Sequence, residues 1–172
     1  MTAANLRLRG ATAGDADAIC RIYNQGIRDR VATLETEERT PEERAQWLGA
    51  RDPRHPVLVA EADGGVVGWA SLNVFNARRA YDQVADLSLY VEREWRGRGV
   101  GRRLLDALVT RAIELGYHKL VLAAFPWNAA GRRAYGRAGF REVGIYREQG
   151  RLDGRWVDTV VMEKILEGPS AH

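Results

Sequence analysis

The stretch Asp86–Leu105, DLSLYVEREWRGRGVGRRLL, sets an alternating apolar run, three glycines at alternate positions and a leucine-rich helical pattern in direct succession. Period-two alternation predicts a strand, and apolar residues three and four apart predict a helix. Between them Gly97, Gly99 and Gly101 free the backbone to approach a ligand where the helix begins. A helix N-terminus offers unpaired N–H groups and the positive end of the dipole, a combination suited to phosphate. Arg93, Arg96, Arg98, Arg102 and Arg103 share the segment, and arginine is a fork for phosphate and carboxylate.

Outward from this junction the chain punctuates itself clearly. LRLRGAT predicts a short strand, and TAGDADAICRIYNQGI a helix entered through Thr12 or Asp15. After the polar connection RDRVATLETEERT, a short helix starts with Thr40 as N-cap and Pro41 at its first position. Asp63-Gly64-Gly65 joins two strand-like runs as a hairpin, and DQVADLSLYVE follows as a third strand. Leu104, Leu105, Leu108, Ala112 and Leu115 form the apolar stripe of the helix after the glycines. KLVLAAF reads as a strand, NAAGRRAYGRAG as a short helix, and the C-terminal run as a hairpin turning at Asp153-Gly154. The order β-α-α-β-β-β-α-β-α-β-β predicts one mixed α/β sheet with an antiparallel middle, a single domain over 1–172 with its core at about 5–166.

Composition narrows the function classes. No apolar run reaches the roughly 20 residues of a membrane helix, and MTAANLRLRG lacks the apolar region of a secretion signal. The one cysteine, Cys20, shares a helix face with Ile19 and Tyr23 and reads as a core thiol in a reducing, cytoplasmic setting. His55, His118 and His172 make no cluster of metal-ligand spacing, so no metal is expected. All but two of the 26 basic residues are arginine, yet they are interspersed with 23 acids and form no tail, which argues against a nucleic-acid partner.

Three phosphate loops compete for the glycines. A Walker A loop needs Lys-Ser or Lys-Thr after its last glycine, where this chain has Arg102-Arg103. A dinucleotide loop needs G-x-G-x-x-G and an acid at the end of the next strand, and KLVLAAF has none. Arg96-Gly97-Arg98-Gly99-Val100-Gly101 instead gives R-x-x-G-x-G between a strand and a helix. This segment, with the asparagine of FPWNAAGRRAYGRAGF and the element order, resembles the GNAT superfamily of N-acetyltransferases over nearly the whole chain.

The resemblance implies a GNAT-type mixed, mostly antiparallel central sheet flanked by helices, with acetyl-CoA as cosubstrate. The pantetheine arm would enter a V-shaped opening beside Leu89, Tyr90 and Val91, and the pyrophosphate would rest on the amides of Arg96, Gly97, Arg98, Gly99, Val100 and Gly101. Asn128, Gly131 and Tyr135 match the family's positions near the cofactor.

Acetyl transfer to an amine requires a neutral nucleophile, a donor for the developing oxyanion and a proton for the departing sulfur. Asp86 is the candidate base: it shares a strand face with Ser88 and Tyr90, and an acid in a central strand is costly unless paired or employed. An Asp still wet at the strand's start, or one paired to an arginine, is the competing reading. The family residue is commonly Glu, and the shorter aspartate invites a bridging water. Tyr135 is the candidate donor to sulfur, against a merely packed tyrosine, and a backbone N–H near Val91 is the natural oxyanion donor.

Within the superfamily, ATLETEERTPEE, NARRAYDQVADLSLYV and GRWVDTVVMEK are most similar to phosphinothricin N-acetyltransferases, including enzymes for methionine sulfoximine, methionine sulfone and arsinothricin. Such acceptors carry an anionic or polar tetrahedral head, for which an arginine fork is suited. Arg78 matches the arginine ahead of Tyr81 in that pattern and is the candidate for the acidic group. Phe75 is a candidate wall, and Arg30, Thr33 and Glu35 are candidates from the first loop. Trp156 and Asp158 fit a dimer contact or sheet packing. The family implies a homodimer, and a peptide or protein N-terminus is the alternative acceptor.

Overall fold

The computed structural model describes residues 5–168. Seven strands form one sheet in the order β1-β2-β3-β4-β5-β7-β6, where β1 is Arg7–Gly10, β2 Val57–Ala62, β3 Gly65–Val74, β4 Val84–Val91, β5 Lys119–Ala124, β6 Arg141–Leu152 and β7 Arg155–Ile165. Helices α1 (Ala16–Asp29) and α2 (Pro41–Gly49) follow β1, α3 (Val100–Glu114) joins β4 to β5, and α4 (Ala129–Arg137) joins β5 to β6. Every strand pair is antiparallel except β4 with β5. The predicted order and the mixed, mostly antiparallel sheet are therefore what the chain adopts.

Local chemistry explains the boundaries. The connections β2–β3 and β6–β7 turn on Asp63-Gly64 and Asp153-Gly154, all four residues at positive φ, the geometry of a type I′ turn that matches strand twist. Thr40 accepts from Glu43 N at 3.2 Å while the Glu43 carboxylate accepts from Thr40 N at 2.7 Å, a capping box with Pro41 at the first helical position. Thr12 and Asp15 share the first helical start: Thr12 caps a 3-10 turn over Ala13–Asp15, and Asp15 is the N-cap of α1. Asp15 is also gripped by Arg9 of β1 at 2.7 and 2.9 Å, so helix and edge strand are tied together.

The sheet carries a core on each face. On one, Leu104, Leu105, Leu108 and Ala112 of α3 pack fully buried against Leu72, Leu87 and Leu120. On the other, Ile19, Ile22 and Ile27 of α1 meet Val59, Trp69 and Tyr90. Successive β4 residues serve opposite faces, Leu87 toward α3 and Tyr90 toward α1, as strand alternation requires. Cys20 is buried, donates to Arg39 O at 3.1 Å and has its pKa raised by burial, so it is an unreactive thiol.

Candidate functional site

Strands β4 and β5 pair over only three positions, Val84 with Lys119, Ala85 with Leu120 and Asp86 with Val121. β4 runs on to Val91 and β5 to Ala124, each still paired on its outer edge, to β3 and β7 respectively. Beyond Asp86 the inner edge of β4 has no strand partner, and the expected V-shaped opening lies there. It holds a cleft of about 360 Å³ lined from β4 by Asp86, Ser88 and Tyr90, from α4 by Tyr135, and from β7 by Thr159. Val31 to Leu34, in the loop after α1, wall the opposite side.

Asp86 sits where the strands part. Burial pushes its carboxyl up from 3.8 to about 6, only partly offset by Asn73, whose Nδ2 lies 3.4 Å from Asp86 Oδ2. Among the described residues no cation pairs with it, so the competing reading of an arginine-paired aspartate does not hold. Tyr135 is half-buried, its ring edge-on to Phe140; burial of the hydroxyl, followed by the nearby Asp86, raises its pKa to about 12. Tyr90 is buried between the aromatic rings of Trp69 and Tyr23, and burial raises its pKa as well.

At the end of β4 the chain passes through Arg93–Trp95 into the glycine loop. Gly97 and Gly99 take φ of 74° and 84°, a region closed to most side chains, and Gly99 is the N-cap of α3. No side chain caps this helix and no acid lies in its first turn, so its leading amides and dipole are free for an anion. The Arg96 guanidinium is engaged elsewhere, with Asp29 of α1 at 2.7 Å and Val91 O at 3.1 Å, and Arg93 shares Asp29 at 2.7 Å. These contacts anchor the loop to α1. Arg98 stacks over Trp95 at 5.1 Å.

Asn128 is the N-cap of α4: its Oδ1 accepts from Gly131 N at 3.0 Å and its Nδ2 donates to Val31 O at 3.2 Å. A Cβ on residue 131 would lie 2.5 Å from that Nδ2, which is why glycine stands there. Together with Trp127, which donates to Arg30 O at 2.9 Å, Asn128 fastens the loop after α1 across the cleft.

The remaining candidates from the sequence are divided. Thr33 lines the cleft, whereas Glu35 is bound to Arg39, and Arg30 makes a bidentate pair with Asp153 at 2.9 and 3.0 Å. Phe75, Arg78 and Tyr81 lie exposed between β3 and β4, Phe75 edge-on to Tyr81 at 5.6 Å, and none lines the cleft. Asp158 accepts from Glu148 N at 2.7 Å across the β6–β7 hairpin, which favours sheet packing for that residue. Sequence reasoning missed Asn73 and Thr159. The Thr159 hydroxyl is buried beside the cleft with no hydrogen-bond partner among the described residues, and no spacing rule singles out one threonine in a strand. Among the described residues no group of His, Cys, Asp or Glu could hold a metal ion, and no helix is long and apolar enough to cross a membrane.

The chain is similar to known proteins over nearly its whole length. The model of the acetyltransferase (GNAT) family matches residues 18–140. An L-methionine sulfoximine/L-methionine sulfone acetyltransferase of Pseudomonas paraeruginosa is 33% identical over 93% of this chain and 94% of its own. A GNAT superfamily phosphinothricin acetyltransferase from Sinorhizobium meliloti, crystallised with acetyl-CoA, is 30% identical with a TM-score of 0.89, covering 97% of this chain and 92% of that one. A ribosomal-protein-alanine N-acetyltransferase from Brucella melitensis is 37% identical with a TM-score of 0.90, over 93% and 99% of the two chains.

Proposed function

Because this chain belongs to the acetyltransferase (GNAT) family, we propose that it transfers the acetyl group of acetyl-CoA to the primary amine of a small anionic or strongly polar amino acid. Phosphinothricin, methionine sulfoximine, methionine sulfone and arsinothricin are the acceptors of that class. The observation that carries the reading is Asp86, an uncompensated carboxylate with its pKa near 6 at the fork of β4 and β5. Similarity to the methionine sulfoximine and phosphinothricin enzymes supports the acceptor class.

Acetyl-CoA supplies an activated acyl thioester. The leading amides of α3, with Gly97 and Gly99 at positive φ, suit its diphosphate, and the free inner edge of β4 at Leu89, Tyr90 and Val91 suits its amide-bearing arm. Asp86 takes the proton of the incoming ammonium, directly or through one water, and with a pKa near 6 it is mostly ionised at neutral pH. Tyr135, whose proton is held to about 12, stays neutral throughout and donates a hydrogen bond to the departing sulfur. A thiol's ordinary pKa is about 8.5, so complete proton transfer from Tyr135 is uphill; its hydrogen bond stabilises the leaving thiolate, which takes up the second proton that the nitrogen sheds as the amide forms, directly or through water. A backbone N–H near Val91 is the oxyanion donor in this reading.

One ionisation then shapes the acid limb of the pH profile. The acceptor enters as its ammonium and gives its proton to Asp86, so the carboxylate must be ionised, and below about 6 it is protonated. Log(kcat/KM) should therefore rise with a slope near 1 at acid pH, break near pH 6 and level off above it. A thiol-release screen with acetyl-CoA against the four amino acids, polyamines and short peptides tests the acceptor class. Turnover confined to peptides would favour the second reading, acetylation of a protein N-terminus, which the likeness to the Brucella enzyme supports. In the first reading Arg78, which matches the family pattern and lies exposed in the β3–β4 connection outside the cleft lining, binds the acidic head. Arg78→Ala is expected to raise KM for the preferred amino acid by about 10- to 100-fold with kcat little changed, as for loss of one charge-assisted hydrogen bond.

We further propose a homodimer. The β6–β7 hairpin at the open edge of the sheet exposes Val143, Ile145, Tyr146 and Trp156, each at least half accessible, an apolar edge that solvent does not favour. Light scattering should give twice the 19.2 kDa chain mass, and a monomer mass would overturn the proposal.

A further inference from the structure

Asn73 on β3 is the one side chain among the described residues that hydrogen-bonds Asp86, and its Nδ2 also reaches Ser88 Oγ at 3.1 Å. The other end of its amide is committed. Oδ1 accepts from the Arg51 guanidinium at 3.0 Å and from the Ser71 hydroxyl at 3.0 Å. Ser71 is fully buried, and Arg51 is itself held by the carbonyls of His55, at 2.8 Å, and Leu72. A guanidinium only donates, whereas an amide has one donating and one accepting end. Turned over, Asn73 would set its NH2 against Arg51 and its oxygen against Asp86, two repulsions at once. Arg51 therefore decides which end of Asn73 faces Asp86.

We propose that Asn73, oriented by Arg51 and Ser71, is the positioning residue of Asp86, holding the carboxylate at the fork of β4 and β5 and setting the pH range in which it acts as a base. The proposal rests on the assignment of Asp86 as base. The other groups around Asp86 offer no substitute. Tyr135 approaches from α4 and Tyr90 lies on β4 itself, both protonated in the working range. Thr33 comes from the loop after α1 and Thr159 from β7; β5 presents Val121 and Ala123, and the Arg51 guanidinium is bonded to Asn73 Oδ1 and not to the carboxylate. With burial raising the carboxyl and one neutral donor lowering it, removing that donor shifts the balance upward.

The test follows the break in log(kcat/KM) near pH 6 by thiol release in the wild type, Asp86→Asn, Asn73→Leu and Asn73→Asp, with acetyl-CoA affinity measured by calorimetry. Asn73→Leu is expected to move the break upward by about one pH unit, the rate recovering toward wild type above it. Asn73→Asp keeps a partner for Arg51 but turns a carboxylate toward Asp86, and should move the break further in the same direction. Affinity for acetyl-CoA should hold in both. A break that stays in place in either folded variant, with the rate merely scaled down, would reduce Asn73 to a packing residue and overturn the proposal. A wild-type break that survives Asp86→Asn would overturn the base assignment itself, a separate result.

Discussion

Asp86→Asn is expected to lower kcat by about 10²- to 10⁴-fold, the usual contribution of a positioned base, while leaving acetyl-CoA binding largely intact. Asparagine keeps the shape and a hydrogen-bonding group next to Asn73 but cannot accept a proton. The same variant should be more stable than the wild type at neutral pH. The Asp86 carboxyl is raised from 3.8 to about 6, so between these values the folded state holds a proton that the unfolded state has released. Stability is accordingly lost as pH rises through that window, and above pH 6 the cost reaches about 3 kcal/mol. Removing the charge removes the cost. A higher melting temperature at pH 7, converging on wild type near pH 4, together with a collapse in turnover, is the joint signature of a strained catalytic carboxylate. Lost activity with an unchanged or lowered melting temperature would point to simple structural damage, and undiminished turnover would end Asp86's candidacy.

Gly101→Glu should abolish acetyl-CoA binding, weakening it by at least about 100-fold, or roughly 2.7 kcal/mol. A Cβ at this position would meet Val91 and Leu89 at 3.5 and 3.6 Å, ordinary contacts, so the fold accommodates it. A carboxylate in the first turn of α3 even suits the helix dipole, by about 0.3–1 kcal/mol. The apo protein should melt no lower than wild type while its thermal upshift with acetyl-CoA disappears. The glutamate would occupy the anion's place and oppose its charge. Gly99→Glu should lose binding too, but at φ 84° it adds backbone strain of about 1–2 kcal/mol, so it separates folding from binding less cleanly. Unchanged affinity in Gly101→Glu would show that the diphosphate does not lie on these amides.

Several features were legible because they are local. Asp-Gly pairs declared both hairpins, Thr40-Pro41 declared α2, and the spacing of Leu104, Leu105, Leu108 and Ala112 declared the buried stripe of α3. Alternation along β4 was enough to set Asp86, Ser88 and Tyr90 on one face, and all three line the cleft. The loop candidates fared differently because a side chain's partner is not written in its own neighbourhood. Arg30 is claimed by Asp153, which lies 123 positions away, and Arg96 by Asp29, 67 positions away. Arg78 and Tyr81 sit in one of the three stretches that resemble the family, yet they stand exposed outside the cleft of the single chain.

The sequence by itself determined the order and kind of the elements and the position of the glycine loop at the start of the longest helix, since turn chemistry and periodicity act within a few residues. Only the tertiary structure decided that β4 and β5 separate after three pairs, that Asp86 stands at their fork without a cation, and that Arg51 turns the amide of Asn73 toward it. Those outcomes depend on burial and on which distant groups meet. An aspartate's proton affinity is set by the water it loses and the donors it gains, and both are fixed only when the strands come together.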